Sequence, residues 1–178
     1  MTTPNLRFLF AHPAHLIACG LGSGLTVYAP GTAGTLFAWL LYPLLRLAYS
    51  ADANFALFLA FMFVFGMWCV NLTGKHLGEP DHGSIVWDEI VPFWAVLMFV
   101  PPALTDTPHG VFLSASGLAW QLAAFALFRL FDIVKPPPAS YFDQRVKNGF
   151  GVMMDDVVAA GYTVLVLAAI KLLLERLT

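Results

Sequence analysis

The sequence predicts an all-α, polytopic membrane helix bundle with about five membrane-embedded helices, one of them short enough to be re-entrant or interfacial. Three observations predict it. Of 178 residues, 59% are hydrophobic and only 11% are charged, against roughly 25% charged in an ordinary soluble domain. Mean hydropathy is +0.75, with 16 Phe and 5 Trp adding bulky apolar surface. The apolar stretches are continuous rather than alternating, which excludes a membrane β-barrel. The same figures exclude disorder. With 9 Lys+Arg against 11 Asp+Glu, there is no basic excess to hold a nucleic acid. Residues 1–178 read as one membrane domain.

The elements follow in order. Leu16-Ile17-Ala18-Cys19 has the look of a lipoprotein cleavage box, but His12, Pro13 and His15 break the apolar stretch such a signal needs. Cys19 and Cys69 therefore read as small apolar fillers. A first helix is predicted over Thr32–Tyr49, with Thr32 as its cap. The second, Phe55–Leu72, has no charge at all. The third, Ile85–Leu104, carries Asp88 and Glu89 at its start and Pro101-Pro102 at its end. The fourth is Gly110–Phe131, with Arg129 near its end. The fifth, Asp155–Leu174, opens on an acidic pair. Each run meets the length a spanning helix requires, about 20 residues, or falls slightly short of it.

The connections are unequal. Ser50–Asn54 and Thr105–His109 are short and carry no Lys or Arg. Residues 1–31, Thr73–Ser84 and Asp132–Met154 are long and, with five crossings, fall on one side. That side holds Arg7, Lys75, Arg129, Lys135, Arg145 and Lys147, while Arg46, Lys171 and Arg176 fall on the other. The positive-inside rule makes the richer side the cytoplasm.

Charges near lipid are expensive, so their location carries the information. Eight of the 11 acids lie on that same side: Glu79, Asp81, Asp88, Glu89, Asp132, Asp143, Asp155 and Asp156. A line of charges across the bilayer would suit an ion path. A cluster at one interface suits chemistry on a molecule that sits at that interface. The glycine-rich stretch Gly20–Gly34 leads into the first helix and can offer backbone N–H groups to an anion. It is neither a Walker A motif nor GxGxxG. Asp132 and Lys135, at i and i+3, can meet on one helical face. Pro136 then ends that helix, and the triple proline is expected to leave it as stiff polyproline II. Asp143 and Arg145 follow on a segment parallel to the membrane. Two acid pairs, Asp88/Glu89 and Asp155/Asp156, start helices on the same side. Gathered carboxylates repel unless a cation joins them, and hard oxygen donors without Cys or His spacing suit Mg²⁺. His12, His15, His76, His82 and His109 show no ligand pattern.

Four motifs occur together and in order: Ala29-Pro-Gly-Thr-Ala-Gly-Thr35, Ile85-Val-Trp-Asp-Glu89, Phe128-Arg-Leu-Phe-Asp-Ile-Val-Lys-Pro136 and Met153-Met-Asp-Asp-Val-Val158. Across about residues 18–165 the chain resembles the phosphatidylglycerophosphatase A family. Thr35 stands where that pattern commonly has serine, and Ala160 intervenes before Gly161; neither departure removes a charge. The resemblance implies a bacterial inner-membrane enzyme that uses Mg²⁺ to hydrolyse phosphatidylglycerophosphate to phosphatidylglycerol and phosphate, with no obligate protein partner. Neither cysteine is followed by arginine at the Cys-x₅-Arg spacing, so the cysteine-phosphatase route to the same product is excluded.

On this expectation Asp88, Glu89, Asp155 and Asp156 hold Mg²⁺. Lys135 and Arg145 hold the phosphate, helped by Gly31, Thr32 and Lys75. Asp132 or Asp143 orients Lys135 or Arg145, or serves as base or nucleophile. The competing class is a divalent-cation transporter or channel built on the same acids. It needs acids or broken helices at mid-membrane, and the second and fourth segments have neither.

Overall fold

The computed structural model describes residues 4–107 and 110–177. His109 and the end of the Thr105–His109 connection lie outside the described residues.

The chain opens with two short helices, α1 (Leu6–Ala11) and α2 (Pro13–Ala18). Asn5 caps the first by accepting from the Phe8 N–H, and His12 caps the second by accepting from the Ala14 N–H, both at 3.0 Å. A 3₁₀ segment, Gly20–Leu25, then leads to α3 (Pro30–Ala48). Next come α4 (Asp52–Leu77) and α5 (Trp87–Leu97). A two-stranded antiparallel hairpin, β1 (Leu104–Thr107) and β2 (Gly110–Leu113), separates α5 from α6 (Ala115–Val134). The chain closes with α7 (Ala139–Arg145) and the 29-residue α8 (Gly149–Leu177). Among the described residues the bundle is all-α apart from that hairpin. Three helices, α4, α6 and α8, are long and apolar enough to cross a membrane.

The predicted third segment, Ile85–Leu104, is shortened. Its helix has 11 residues, ten of them buried, and at 1.5 Å per residue reaches only about 16 Å. Its apolar character has another cause than lipid contact: it sits inside the bundle, and a helix enclosed by protein is apolar all round. Trp94 Nε1 donates to the Ala38 carbonyl of α3 at 2.8 Å, and the Tyr42 hydroxyl of α3 donates to the Leu97 carbonyl at 3.1 Å. Phe93 meets Phe125 and Phe128 of α6 with ring centroids 5.8 and 5.4 Å apart. The fourth segment begins at Ala115 rather than Gly110, because Ser114 caps α6 by accepting from the Gly117 N–H at 3.1 Å. The fifth begins at Gly149, six residues before Asp155. The acidic pair therefore lies in the second turn of α8, not at its tip.

The helices alternate in direction, and one end of each meets its neighbours at a common pole. The start of α3, the end of α4, the start of α5, the end of α6 and the early turns of α8 converge there. Gly149 lies so close to α4 that a Cβ on it would overlap the Met67 carbonyl. At the opposite pole, Arg46 pairs with Asp52 at 2.7 Å across the α3–α4 connection.

Candidate active site

α6 brings two charges to the pole in its last turns. Arg129 and Asp132 stand at i and i+3, and Arg129 Nη1 reaches Asp132 Oδ2 at 2.6 Å and Glu89 Oε2 of α5 at 2.8 Å. The Asp132–Lys135 pairing expected from sequence does not form. Lys135 ends α6 in the left-handed conformation, φ +47°, its N–H bonding the Phe131 carbonyl at 2.8 Å. Leaving the helical path turns its side chain off the Asp132 face. A non-glycine residue at positive φ costs of order 1 kcal/mol, and the ion pairs that Lys135 makes offset it.

Those ion pairs define one group of carboxylates. Lys135 Nζ donates to Asp143 Oδ1 of α7 at 2.8 Å and to Asp155 Oδ2 of α8, and lies 3.9 Å from Asp81 Oδ2 in the α4–α5 connection. Oxygens of Asp81, Asp143 and Asp155 all lie within 4.8 Å of one another. Burial raises the Asp81 carboxyl above its usual range, with the Lys135 ammonium pulling the other way. Burial works against the ammonium of Lys135, but Asp155, Asp143 and Asp81 outweigh it and hold it above the ordinary lysine value.

The second group is Glu89, Asp132 and Asp156, all buried and again within 4.8 Å of one another. Arg129 is its counter-charge. The Thr35 hydroxyl of α3 sits 2.9 Å from the Gly31 carbonyl and 3.1 Å from Glu89 Oε2. The Glu89 carboxylate lies where a Cβ on Gly31 would go, so only glycine at that position lets α3 approach this closely. The two groups are joined through adjacent residues of α8, since the Asp156 N–H donates to Asp155 Oδ1 at 3.0 Å. Asp88 Oδ1 and Asp156 Oδ1 are buried with no hydrogen-bond partner among the described residues. Buried carboxylate oxygens are seldom left so.

The predicted quartet Asp88, Glu89, Asp155 and Asp156 is thus divided. Glu89 joins Asp132 and Asp156, Asp155 joins Asp81 and Asp143, and Asp88 belongs to neither group. Asp143 does face Lys135, whereas Asp132 faces Arg129. Thr32 does not cap α3; Ala29 holds the cap position without a side-chain bond, and Pro30 fills the first turn. Lys75 and Arg145 are exposed and make no ion pair among the described residues. The triple proline forms a turn, with the Ala139 N–H closing on the Pro136 carbonyl at 2.8 Å and a cis Pro137–Pro138 bond, rather than polyproline II. Three participants were not picked out from sequence: Arg129, Asp81 and Thr35. For Arg129 the signal was present, as an arginine inside an apolar helix three residues from an acid. Asp81 stood among the eight clustered acids and Thr35 closed the first motif, but only the fold sets the one beside Lys135 and the other beside Glu89.

Of the remaining polar residues, His15 Nε2 and His76 Nδ1 are 2.8 Å apart, tying α2 to the end of α4. Burial pushes the Cys19 thiol up to about 11, in keeping with a filler role.

Comparison with known proteins places most of the chain beside two phosphatases. The chain is 44% identical over 170 residues to phosphatidylglycerophosphatase A of Haemophilus influenzae, covering 94% of each protein. It is 36% identical over 156 residues to phosphatidylglycerophosphatase A of Escherichia coli, covering 86% of this chain and 80% of that one. No solved structure matches. Residues 16–171, a stretch that takes in α3 to α7, both carboxylate groups and nearly all of α8, match the family described as phosphatidylglycerophosphatase A, and the chain belongs to that family.

Proposed function

We propose that this chain hydrolyses phosphatidylglycerophosphate to phosphatidylglycerol and phosphate, with Mg²⁺ as cofactor, at the cytoplasmic face of a bacterial inner membrane. Family membership makes it a phosphoric monoester hydrolase. The observation that carries the rest is the pair of three-carboxylate groups meeting at Asp155-Asp156, at one pole of a bundle with three helices fit to cross a membrane. A lipid headgroup is presented at such a pole while its tails stay in the bilayer.

The residues fit a hard divalent ion. Glu89, Asp132 and Asp156 offer three oxygens, and Asp156 keeps one buried oxygen without a partner. When bound, Mg²⁺ supplies neutralisation of the phosphoryl oxygens and a bound water of lowered pKa. The chain's own groups do the positioning. Arg129, 2.8 Å from Glu89 and 2.6 Å from Asp132, supplies one counter-charge to both carboxylates and offsets their mutual repulsion. Asp143 and Asp155 engage two of the three donors of Lys135, leaving the third for a phosphate oxygen. Arg145 and Lys75, exposed on the same pole, draw in the anionic headgroup, and the start of α3 at Gly31 and Thr32 adds the positive end of a helix dipole.

The cation-transporter reading is not favoured, because both carboxylate groups lie at a pole of the bundle. Purified protein incubated with phosphatidylglycerophosphate decides the matter: phosphate release with Mg²⁺ and none with chelator is the expected result. No release under either condition, or equal release under both, overturns the proposal or its metal requirement respectively.

A further inference from the structure

The two carboxylate groups look alike as ligand sets, with three acid side chains each and oxygens within 4.8 Å. They differ in what fills them. In the Asp81, Asp143 and Asp155 group, a single nitrogen, Lys135 Nζ, lies 2.8 Å from Asp143, in contact with Asp155 and 3.9 Å from Asp81. The ammonium occupies the place where those three oxygens converge. The left-handed turn at Lys135 and the Pro136–Ala139 turn behind it hold the head there. In the Glu89, Asp132 and Asp156 group, Arg129 approaches from α6 and engages only Glu89 and Asp132. Asp156 is 3% exposed and keeps Oδ1 without a partner.

We propose that the site takes one divalent ion, at Glu89, Asp132 and Asp156, and that the Lys135 ammonium stands in for a second ion at Asp81, Asp143 and Asp155. This rests on the Mg²⁺ reading above. A divalent ion and the Lys135 ammonium compete for the same three oxygens, because like charges a few Å apart in a partly buried site repel strongly, whereas Arg129 pairs with Glu89 and Asp132 and leaves Asp156 unpaired for a second cation. Two-ion phosphatases set a pair of metals about 3.5–4 Å apart to clamp the attacking and leaving oxygens. Here Glu89, Asp132 and Asp156 would hold one metal and the Lys135 ammonium would supply the second positive charge, the two places being joined through the adjacent Asp155 and Asp156. The lysine keeps a donor free for phosphate.

Mn²⁺ titration of the purified protein, followed by electron paramagnetic resonance, reads the stoichiometry without any turnover. One ion per chain is expected for the native protein. Lys135→Met is expected to bind two, because three carboxylates stripped of their ammonium need another cation. Two ions in the native protein, or one in Lys135→Met, overturns the inference. No ion in the native protein overturns it together with the Mg²⁺ reading, whereas two ions leave that reading standing. Where Lys135→Met does not fold, Asp143→Asn replaces it. It is expected to keep one ion with affinity within about threefold of native, while Asp156→Asn loses the ion. A tenfold or greater loss in Asp143→Asn places the ion in the other group and overturns the inference.

Discussion

Gly31 and Thr35 do for Glu89 what a purely acidic motif could not do for itself. The first gives the carboxylate room against the α3 backbone, and the second aims a hydroxyl at it. Gly31→Ala is expected to force α3 and α5 apart, costing about 1–3 kcal/mol of stability and most of the phosphatase activity, as read by thermal denaturation in detergent and by phosphate release. Thr35→Val removes the hydroxyl at equal size and should cost about 1–3 kcal/mol, whereas Thr35→Ser should retain near-native activity. Arg129→Ala leaves Glu89 and Asp132 buried without their counter-charge. The expected loss is about 3–5 kcal/mol, partly recovered by added Mg²⁺ in the same melting experiment. At this scale the sequence was half legible. Asp132, Lys135, Asp143, Glu89, Asp155 and Asp156 could be named as charges that an apolar chain does not carry idly. Their partners could not. Partner choice turns on where a side chain leaves its helix, and the left-handed turn at Lys135 reroutes it from Asp132 to Asp143 and Asp155.

Among the elements, α5 departs furthest from its hydropathy. An apolar run signals avoidance of water and does not distinguish lipid from protein as the alternative. Ile85–Leu104 read as a crossing segment, yet its helix is enclosed by its neighbours. The distinction is testable. Phe93, fully buried against Phe125 and Phe128, should cost about 3–5 kcal/mol when cut to alanine, while Leu40→Ala on the outer face of α3 should cost under about 1 kcal/mol. Equal losses in detergent-based unfolding would mean that α5 is not enclosed. The middle of α4 was legible, since Phe55–Leu72 carries no charge, but its polar ends, Asp52–Asn54 and Thr73–Leu77, were read as connections; the end of α6 was close to legible, because Pro136 stops it in the sequence itself. The hairpin before α6 was not legible, because its strands have only four residues each and β2, Gly-Val-Phe-Leu, continues the apolar run that follows.

For the molecule as a whole, the gathering of eight acids on one side was readable from loop lengths alone, since an alternating bundle returns to the same side at every second connection. The structure keeps that arrangement at its common pole, and the proposed orientation follows from the excess of Lys and Arg there. Cysteine introduced at Gln144, an exposed position on α7, is expected to react with a membrane-impermeant maleimide in inside-out vesicles and not in intact spheroplasts. Labelling in spheroplasts would reverse the orientation. One further consequence lies in the length of α8. From Asp156 to its end at Leu177 the helix runs about 32 Å, close to the hydrocarbon thickness of a bilayer, about 30 Å. Glu175 and Arg176 stand at the far end, about 28 Å from Asp156, and Lys171, one turn inside them, reaches toward that end to pair with Glu175 at 3.9 Å. On the proposed reading the acidic pair stands at the depth where acyl chains give way to headgroups, and the six residues of α8 before Asp155 project beyond it. The helix would then act as a ruler that sets the reaction at a fixed height above the acyl chains. On the proposed reading, part of the selectivity then belongs to the bilayer, which holds a lipid phosphate at that height. A water-soluble phosphate ester, lacking tails, has nothing to hold it there and should be the poorer substrate.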